Sequence, residues 1–230
     1  MIPDYTAGFI PLSLNDYPGH VAAVIFFSGC NFFCPYCHNP ELALGKELDE
    51  FLPLEDILEY ISVYKKNLDG VVLTGGEPTL IDGLNLIIEA LHSLELHVKL
   101  DTNGSNPHIL QTLPPVDFFA LDIKTTPNMY NGLTNIPDCF TAVQKSLSII
   151  RSSGKPYEIR VTCAPEFVTL ENFHDILALF NPGETVRLQQ YRNDVTLNPL
   201  WALRNPPYSE TILKKLYLLA QERGLHVMLR

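Results

Sequence analysis

"VAAVIFF" (residues 21–27) is an unbroken apolar run, and "SGCNFFCPYCHN" (28–39) follows it directly. A short run with no polar alternation is the pattern of a strand buried on both faces, as in a parallel sheet covered by helices. Further runs read the same way: "GVVLTG" (70–75), "LHVKLDT" (96–102), "VDFFALDIK" (116–124), "YEIRVT" (157–162) and "TVRLQQY" (185–191). Helical patterns lie between them. Pro53 opens "LEDILEYISVYKK", Asp82 is placed to cap "GLNLIIEALHSL", and Asp138 to cap "CFTAVQKSLSIIRSS", with Gly154 as the stop. "LENFHDILALF" (170–180) and "SETILKKLYLLAQER" (209–223) follow, the latter closed by Gly224, and "LHVMLR" ends the chain as a short strand. This is an α/β alternation of about six units, which right-handed crossovers fold into either an open doubly wound sheet or an incomplete barrel. No Gly/Ser-rich linker interrupts it, so residues 1–230 read as one domain.

The 230 residues are 46% apolar and 18% charged, enough apolar side chain for a substantial core. A net charge of −10 disfavours nonspecific binding to nucleic acid or to an anionic membrane. No apolar run approaches the ~20 residues of a bilayer span. "MIPDYTAGFIPLS" lacks the pattern of a signal peptide, so the expected compartment is the cytoplasm, where thiols stay reduced. Five cysteines, three of them clustered, argue against a disulfide framework.

Cys30, Cys34 and Cys37 form C-x3-C-x2-C just past the first buried strand. Loops at the carboxyl ends of parallel strands are where such folds place their sites. A structural zinc wants four protein ligands, and no nearby C-x2-C or H-x3-H completes the set. A [4Fe–4S] cube takes four thiolates; with three, one iron stays open to a small molecule. On spacing alone, a zinc site and three unrelated buried thiols remain alternatives.

Three more stretches follow strands: "TGGEP" (74–78), "DTNG" (101–104) and "LDIK" (121–124). Gly75 and Gly76 let backbone approach a ligand closely, and Glu77 offers a carboxylate to an ammonium group. Asp122 and Lys124 project to the same side of their strand, where burying both signs without partners would be costly. A zwitterionic ligand supplies partners of both signs.

Together the cysteine triad, with Tyr36 before its last member, and these motifs resemble the radical S-adenosylmethionine (SAM) enzymes. The resemblance implies a partial (β/α)6 TIM-like barrel with parallel strands. It implies a [4Fe–4S] cluster on Cys30, Cys34 and Cys37 whose open iron is chelated by the methionine moiety of SAM, and reductive cleavage to a 5′-deoxyadenosyl radical. Tyr36 would lie near adenine, and Gly75, Gly76 and Glu77 at the methionine amine. "DTNG" and "DIK" are similar to glycyl-radical-enzyme activases. There the residues matching Asp101, Thr102 and Asp122 help bind a monovalent cation beside the SAM carboxylate, and the residue matching Lys124 neutralises that carboxylate. Asn103 falls in the same cofactor-binding motif. Arg160 matches an activase arginine near the site, or makes a structural ion pair.

"LNDYPGHVAAVIFFSGCNFFCPYCHNPEL" (14–42) resembles the activating proteins of anaerobic ribonucleoside-triphosphate reductases, in their longer, barrel-length branch, and the likeness runs to about residue 190. Pyruvate formate-lyase activases share "CHN" and carry D-G-P-G where this chain has Asp16-Tyr17-Pro18-Gly19. By that match Asp16 would contact the glycine-containing loop of a partner. The implied partners are a glycyl radical enzyme and a flavodoxin or ferredoxin electron donor. Two features depart from the activases. "RLQQYRN" (187–193) lacks their late ribose-contacting histidine, although Gln189 or Gln190 could substitute, and residues 38–138 hold no cysteine for an auxiliary cluster. Cys139 and Cys163 read as ordinary buried thiols. The alternatives are a pyruvate formate-lyase-type activase, a radical SAM enzyme acting on a small molecule (the deazapurine synthase type), and an Fe–S or zinc binding module without catalysis.

Overall fold

The computed structural model describes residues 4–46 and 48–230. Nine strands form one sheet: β1 (Thr6–Ser13), β2 (Ala22–Phe27), β3 (Leu52–Pro53), β4 (Gly70–Gly75), β5 (His97–Thr102), β6 (Phe118–Asp122), β7 (Tyr157–Cys163), β8 (Thr185–Gln190) and β9 (His226–Leu229). Their order across the sheet is β3-β1-β2-β4-β5-β6-β7-β8-β9. From β2 onward every neighbouring pair is parallel and in chain order. From β4 onward each new strand therefore joins the same growing edge, whereas β3 is added beside β1 at the other edge. The parallel strands show no reversal of order, the mark of a doubly wound sheet. The sheet is singly wound and, among the described residues, its outermost strands, β3 and β9, do not pair with each other. Residues at or just beyond the carboxyl ends of β2 and β4 to β8 line one cavity, so these six strands curl around it as a partial (β/α)6 TIM-like barrel. β9 adds a seventh parallel strand at the edge.

Burial explains the unbroken apolar runs. On β2, Ala23, Ile25 and Phe27 belong to the main core with Leu54, Ile57 and Ile61 of the helix Leu54–Tyr64. The other face, Ala22 and Val24, packs inside the barrel on Val72 and Tyr17. Higher in the barrel the inward positions turn polar, which is where the site lies.

Several local expectations are corrected. β1 escaped notice because "TAGFIPLS" mixes small residues with Pro11. It pairs antiparallel with β2 at the sheet margin, and its register shifts between Ile10 and Ser13, a place where proline is tolerated. Asp82 does not cap its helix; Gly83 is the N-cap, in the left-handed region at φ 78°. Asp138 is an N-cap residue, but at φ 50° its side chain makes no capping hydrogen bond. The helix expected over 170–180 shrinks to Phe173–Leu177. Short helices also start at Pro40, Pro107 and Pro199, each using proline where the first turn needs no N–H donor. Among the described residues, no helix is long and apolar enough to cross a membrane.

Candidate cofactor site

The cysteine loop leaves the top of β2, and Cys30, Cys34 and Cys37 line one cavity of about 220 Å³. The loop is tied to its surroundings by backbone. Gly29 N–H donates to Leu42 O (2.7 Å), Phe33 N–H to Leu133 O (2.7 Å) and Cys37 N–H to Cys34 O (3.0 Å). Thr134 Oγ1 donates to Asn31 O at 2.8 Å. All three thiols are free. Burial pushes the Cys30 thiol up and the Cys34 thiol to about 12, while the nearby Lys124 charge works in the opposite direction. Binding an electrophilic metal displaces such protons and releases that penalty. Among the described residues, no three His, Cys, Asp or Glu side chains converge on one metal ion. Thiolates serving three separate irons of a cube need no such convergence. Three soft donors facing a lysine fit the chemistry of an iron–sulfur cluster.

The Gly-Gly-Glu stretch at the end of β4 locks this loop in place. Gly75 sits at φ +117°, and a Cβ there would lie 2.3 Å from Phe27 O; one on Gly76 would lie 2.0 Å from Gly29 O. Gly76 N–H donates to Phe27 O and Glu77 N–H to Gly29 O, both at 2.9 Å. The glycines are thus required by the backbone of the cysteine loop. Glu77 is fully buried and does not line the cavity. Its Oε1 accepts from Thr79 N (3.1 Å), Thr79 Oγ1 (2.6 Å) and Thr102 Oγ1 (2.7 Å), and its Oε2 from Asn103 N (2.6 Å). Desolvation holds its carboxyl above the usual range against the pull of these donors. The Glu77 carboxylate is committed to joining the ends of β4 and β5, and what faces the cavity is the backbone at Gly75 and Gly76.

Asn103 extends the same frame to the cysteines. Its Nδ2 donates to Asn31 Oδ1 at 2.9 Å and lies 3.9 Å from Cys30 Sγ. Thr102 lines the cavity, yet its hydroxyl is held by Glu77 and by the Gly104 N–H at 3.1 Å.

The cavity floor is ionic. Arg160 bridges two strands, with Nη1 on Asp101 Oδ2 (2.7 Å) and Nε on Asp122 Oδ1 (2.9 Å). Lys124 Nζ binds Asp122 Oδ2 at 2.9 Å, and Lys99 binds Asp101 Oδ1. The Arg160 charge, the largest of the attractions opposing burial, holds the Asp101 carboxyl below its usual range and Asp122 at about 2. The aspartates raise Arg160, and Asp122 raises Lys124, despite the burial that opposes both. The role of Lys99 was missed from sequence. The available signal was a lysine inside the apolar run "LHVKLDT", two residues from Asp101 and so on its face of the strand.

Tyr36 is 2% exposed and lines the cavity against an aromatic group that sequence did not reveal: Phe167 at 5.3 Å and Trp201 at 6.0 Å between ring centroids. Strand alternation separates the two late glutamines. Gln189 lines the cavity, whereas Gln190 Nε2 is turned to Tyr208 O at 2.7 Å. Asp16 is not brought to this site. It lies in the β1–β2 turn, at the opposite end of β2 from the cysteines, accepting from Ser13 Oγ (2.6 Å) and facing Arg230 Nη2 at 3.5 Å. Cys139 and Cys163 are buried away from the cavity.

Comparison with known proteins places this arrangement. The family model of the Radical SAM superfamily matches residues 24–180. A putative glycyl-radical enzyme activating enzyme of Methanocaldococcus jannaschii is 30% identical over 193 residues, 80% of this chain and 79% of that protein. A 7-carboxy-7-deazaguanine synthase of Hyperthermus butylicus is 39% identical over 94 residues, 40% of this chain and 39% of that protein. The pyruvate formate-lyase-activating enzyme of Clostridium pasteurianum is 35% identical over 122 residues, 49% of each.

Proposed function

The chain belongs to the radical SAM superfamily, and we propose that it is an activating enzyme that removes a hydrogen atom from a glycine of a partner glycyl radical enzyme. The observation that carries this reading is the cavity itself. Three thiols stand on one wall and an Arg–Asp–Lys floor on the other, at the carboxyl ends of six strands whose sheet does not close. When bound, a reduced [4Fe–4S] cluster and SAM together supply the hydrogen-abstracting radical. The protein's part is to hold, orient and keep water and oxygen away. Cys30, Cys34 and Cys37 would hold three irons, and Asn103 and Glu77 fix the loop that carries them. Backbone at Gly75 and Gly76 would receive the cofactor's ammonium, Lys124 and Arg160 would pair with its carboxylate, Tyr36 would serve its adenine, and Gln189 would bond its ribose in place of the activases' histidine. Asp16 lies outside this cavity, facing Arg230 just past the end of β9, and is proposed as a contact for the partner's loop.

The long coverage of the Methanocaldococcus relative favours a glycyl radical enzyme as substrate. Of the two partner types weighed from sequence, the Clostridium relative favours the pyruvate formate-lyase type over the reductase type. A flavodoxin or ferredoxin is the proposed electron donor, in the cytoplasm. The Hyperthermus match supports a second reading, a small-molecule enzyme of the deazapurine class. Anaerobic incubation with SAM, reductant and candidate partner enzymes separates the two. The activase reading predicts a glycyl radical doublet by electron paramagnetic resonance. SAM cleavage driven by a deazapurine precursor, with no doublet from any partner, would overturn it.

A further inference from the structure

The activase resemblance calls for a monovalent cation held by Asp101, Thr102 and Asp122, and the geometry of these residues does not fit one. Each carboxylate oxygen is already matched to a cationic nitrogen. Lys99 takes Asp101 Oδ1, Arg160 takes Asp101 Oδ2 and Asp122 Oδ1, and Lys124 takes Asp122 Oδ2. The Thr102 hydroxyl donates to Glu77 and accepts from the Gly104 N–H. Within this salt-bridge cluster three cationic side chains face two carboxylates, a surplus of one positive charge among the paired groups. A further metal cation would enter a salt-bridge cluster already positive, where each carboxylate oxygen already faces a cationic nitrogen. A ligand carboxylate, by contrast, brings the floor to neutrality, which a buried charge cluster requires.

Lys99 creates the surplus. Without it the floor would hold Arg160 and Lys124 against two aspartates, already balanced, and a carboxylate ligand would need a cation to accompany it. Lys99 is 1% exposed and does not line the cavity, so its ammonium is walled in behind Asp101. We propose that Lys99 takes the place of an alkali metal ion in this site, so that the carboxylate end of the ligand binds without one. Lys99 is a positioning residue: it touches Asp101, and its charge reaches the ligand through that side chain and Arg160. The inference rests on the SAM reading above only for the identity of the carboxylate.

The test uses cluster-loaded protein in tetramethylammonium buffer, an ion too large for the site. The sodium resonance is followed as sodium is added, and SAM affinity is measured by calorimetry with sodium, potassium or neither at fixed ionic strength. Wild type is expected to show no saturable sodium broadening and SAM dissociation constants that agree within about twofold across the three buffers. Lys99→Met is expected to acquire saturable sodium broadening, to lose about tenfold in SAM affinity without alkali ion, and to recover it when sodium or potassium is added. A lysine that served only to stabilise the strand would not give that rescue. Saturable sodium binding by wild type that Asp122→Asn removes would overturn the proposal, as would a Lys99→Met protein whose affinity ignores alkali ions. If Lys99→Met does not fold, the wild-type sodium titration decides alone. Failure of SAM to bind in any buffer would strike the cofactor reading and leave the sodium titration still decisive here.

Discussion

Replacing Gly76 by alanine should loosen the cysteine loop without unfolding the barrel. The added Cβ would lie 2.0 Å from Gly29 O and 2.6 Å from Gly29 C. Both are backbone atoms, so no side-chain rotation relieves the contact. The strands must part at the point where Gly76 N–H meets Phe27 O and Glu77 N–H meets Gly29 O. Overpacking costs about 1–3 kcal/mol, and two weakened hydrogen bonds add about 0.5–1.5 kcal/mol each. The stiffer unfolded chain returns up to about 1 kcal/mol. The net is about 1–6 kcal/mol, over most of its range below the 5–15 kcal/mol on the order of which a domain is stable, so the fold is expected to survive. For a chain of this length it corresponds to a drop of roughly 2–24 °C in melting temperature. Gly132→Ala is the control, since nothing lies within 4 Å of its Cβ position. The assay is thermal unfolding followed by circular dichroism, paired with iron content after anaerobic reconstitution. Gly76→Ala should lose on both and Gly132→Ala on neither. A Gly76→Ala protein that melts with wild type and takes up the same iron would show that the junction does not hold the loop.

Three further outcomes are expected. Glu77→Gln leaves one oxygen and one NH2 where four donors now converge, three on Oε1 and one on Oε2; with the NH2 in the Oε2 place it strands the Asn103 N–H at a cost of about 1–3 kcal/mol, so melting temperature falls before any cofactor is added. Weaker SAM binding at an unchanged melting temperature would instead return Glu77 to the ligand. Asp122 has a folded pKa of about 2 against an ordinary 3.8, so it contributes about 2 kcal/mol that is present above the ordinary value and lost as pH falls toward 2. Asp122→Asn should therefore be less stable near neutral pH and flatter across that acid window in urea titrations; an unchanged acid limb would refute the pairing. Cys37→Ala should lose cluster assembly and SAM cleavage together, read by iron content and 5′-deoxyadenosine yield, and normal cleavage by a fully reconstituted variant would remove Cys37 from the ligand set.

The strands of the barrel were legible because they are buried on both faces, which writes an apolar run such as "VAAVIFF" directly into the chain. β1 was not, since a margin strand carrying Pro11 has no such pattern. Candidate residues on the strand ends were legible by motif, and Cys30, Cys34, Cys37, Tyr36, Asp101 and Asp122 do meet at one cavity. Direction was harder to read. Whether Glu77 faces a ligand or its own scaffold depends on where Thr102 and Asn103 stand, and no local pattern encodes that. The same holds for Gln189 against Gln190, since strand alternation has to be phased. Lys99 was visible as an oddity in an apolar strand, but its meaning needed Arg160, 59 residues along the chain from Asp101.

The central claim is that three thiolates leave one iron open for the amino and carboxylate groups of SAM. Electron-nuclear double resonance on the reduced, cluster-loaded protein, with SAM isotopically labelled at those two groups, tests it most directly. The account predicts hyperfine coupling from both labels to the cluster, with none in the Cys37→Ala protein. A paramagnetic cube that shows no coupling to either label while SAM is bound would contradict it.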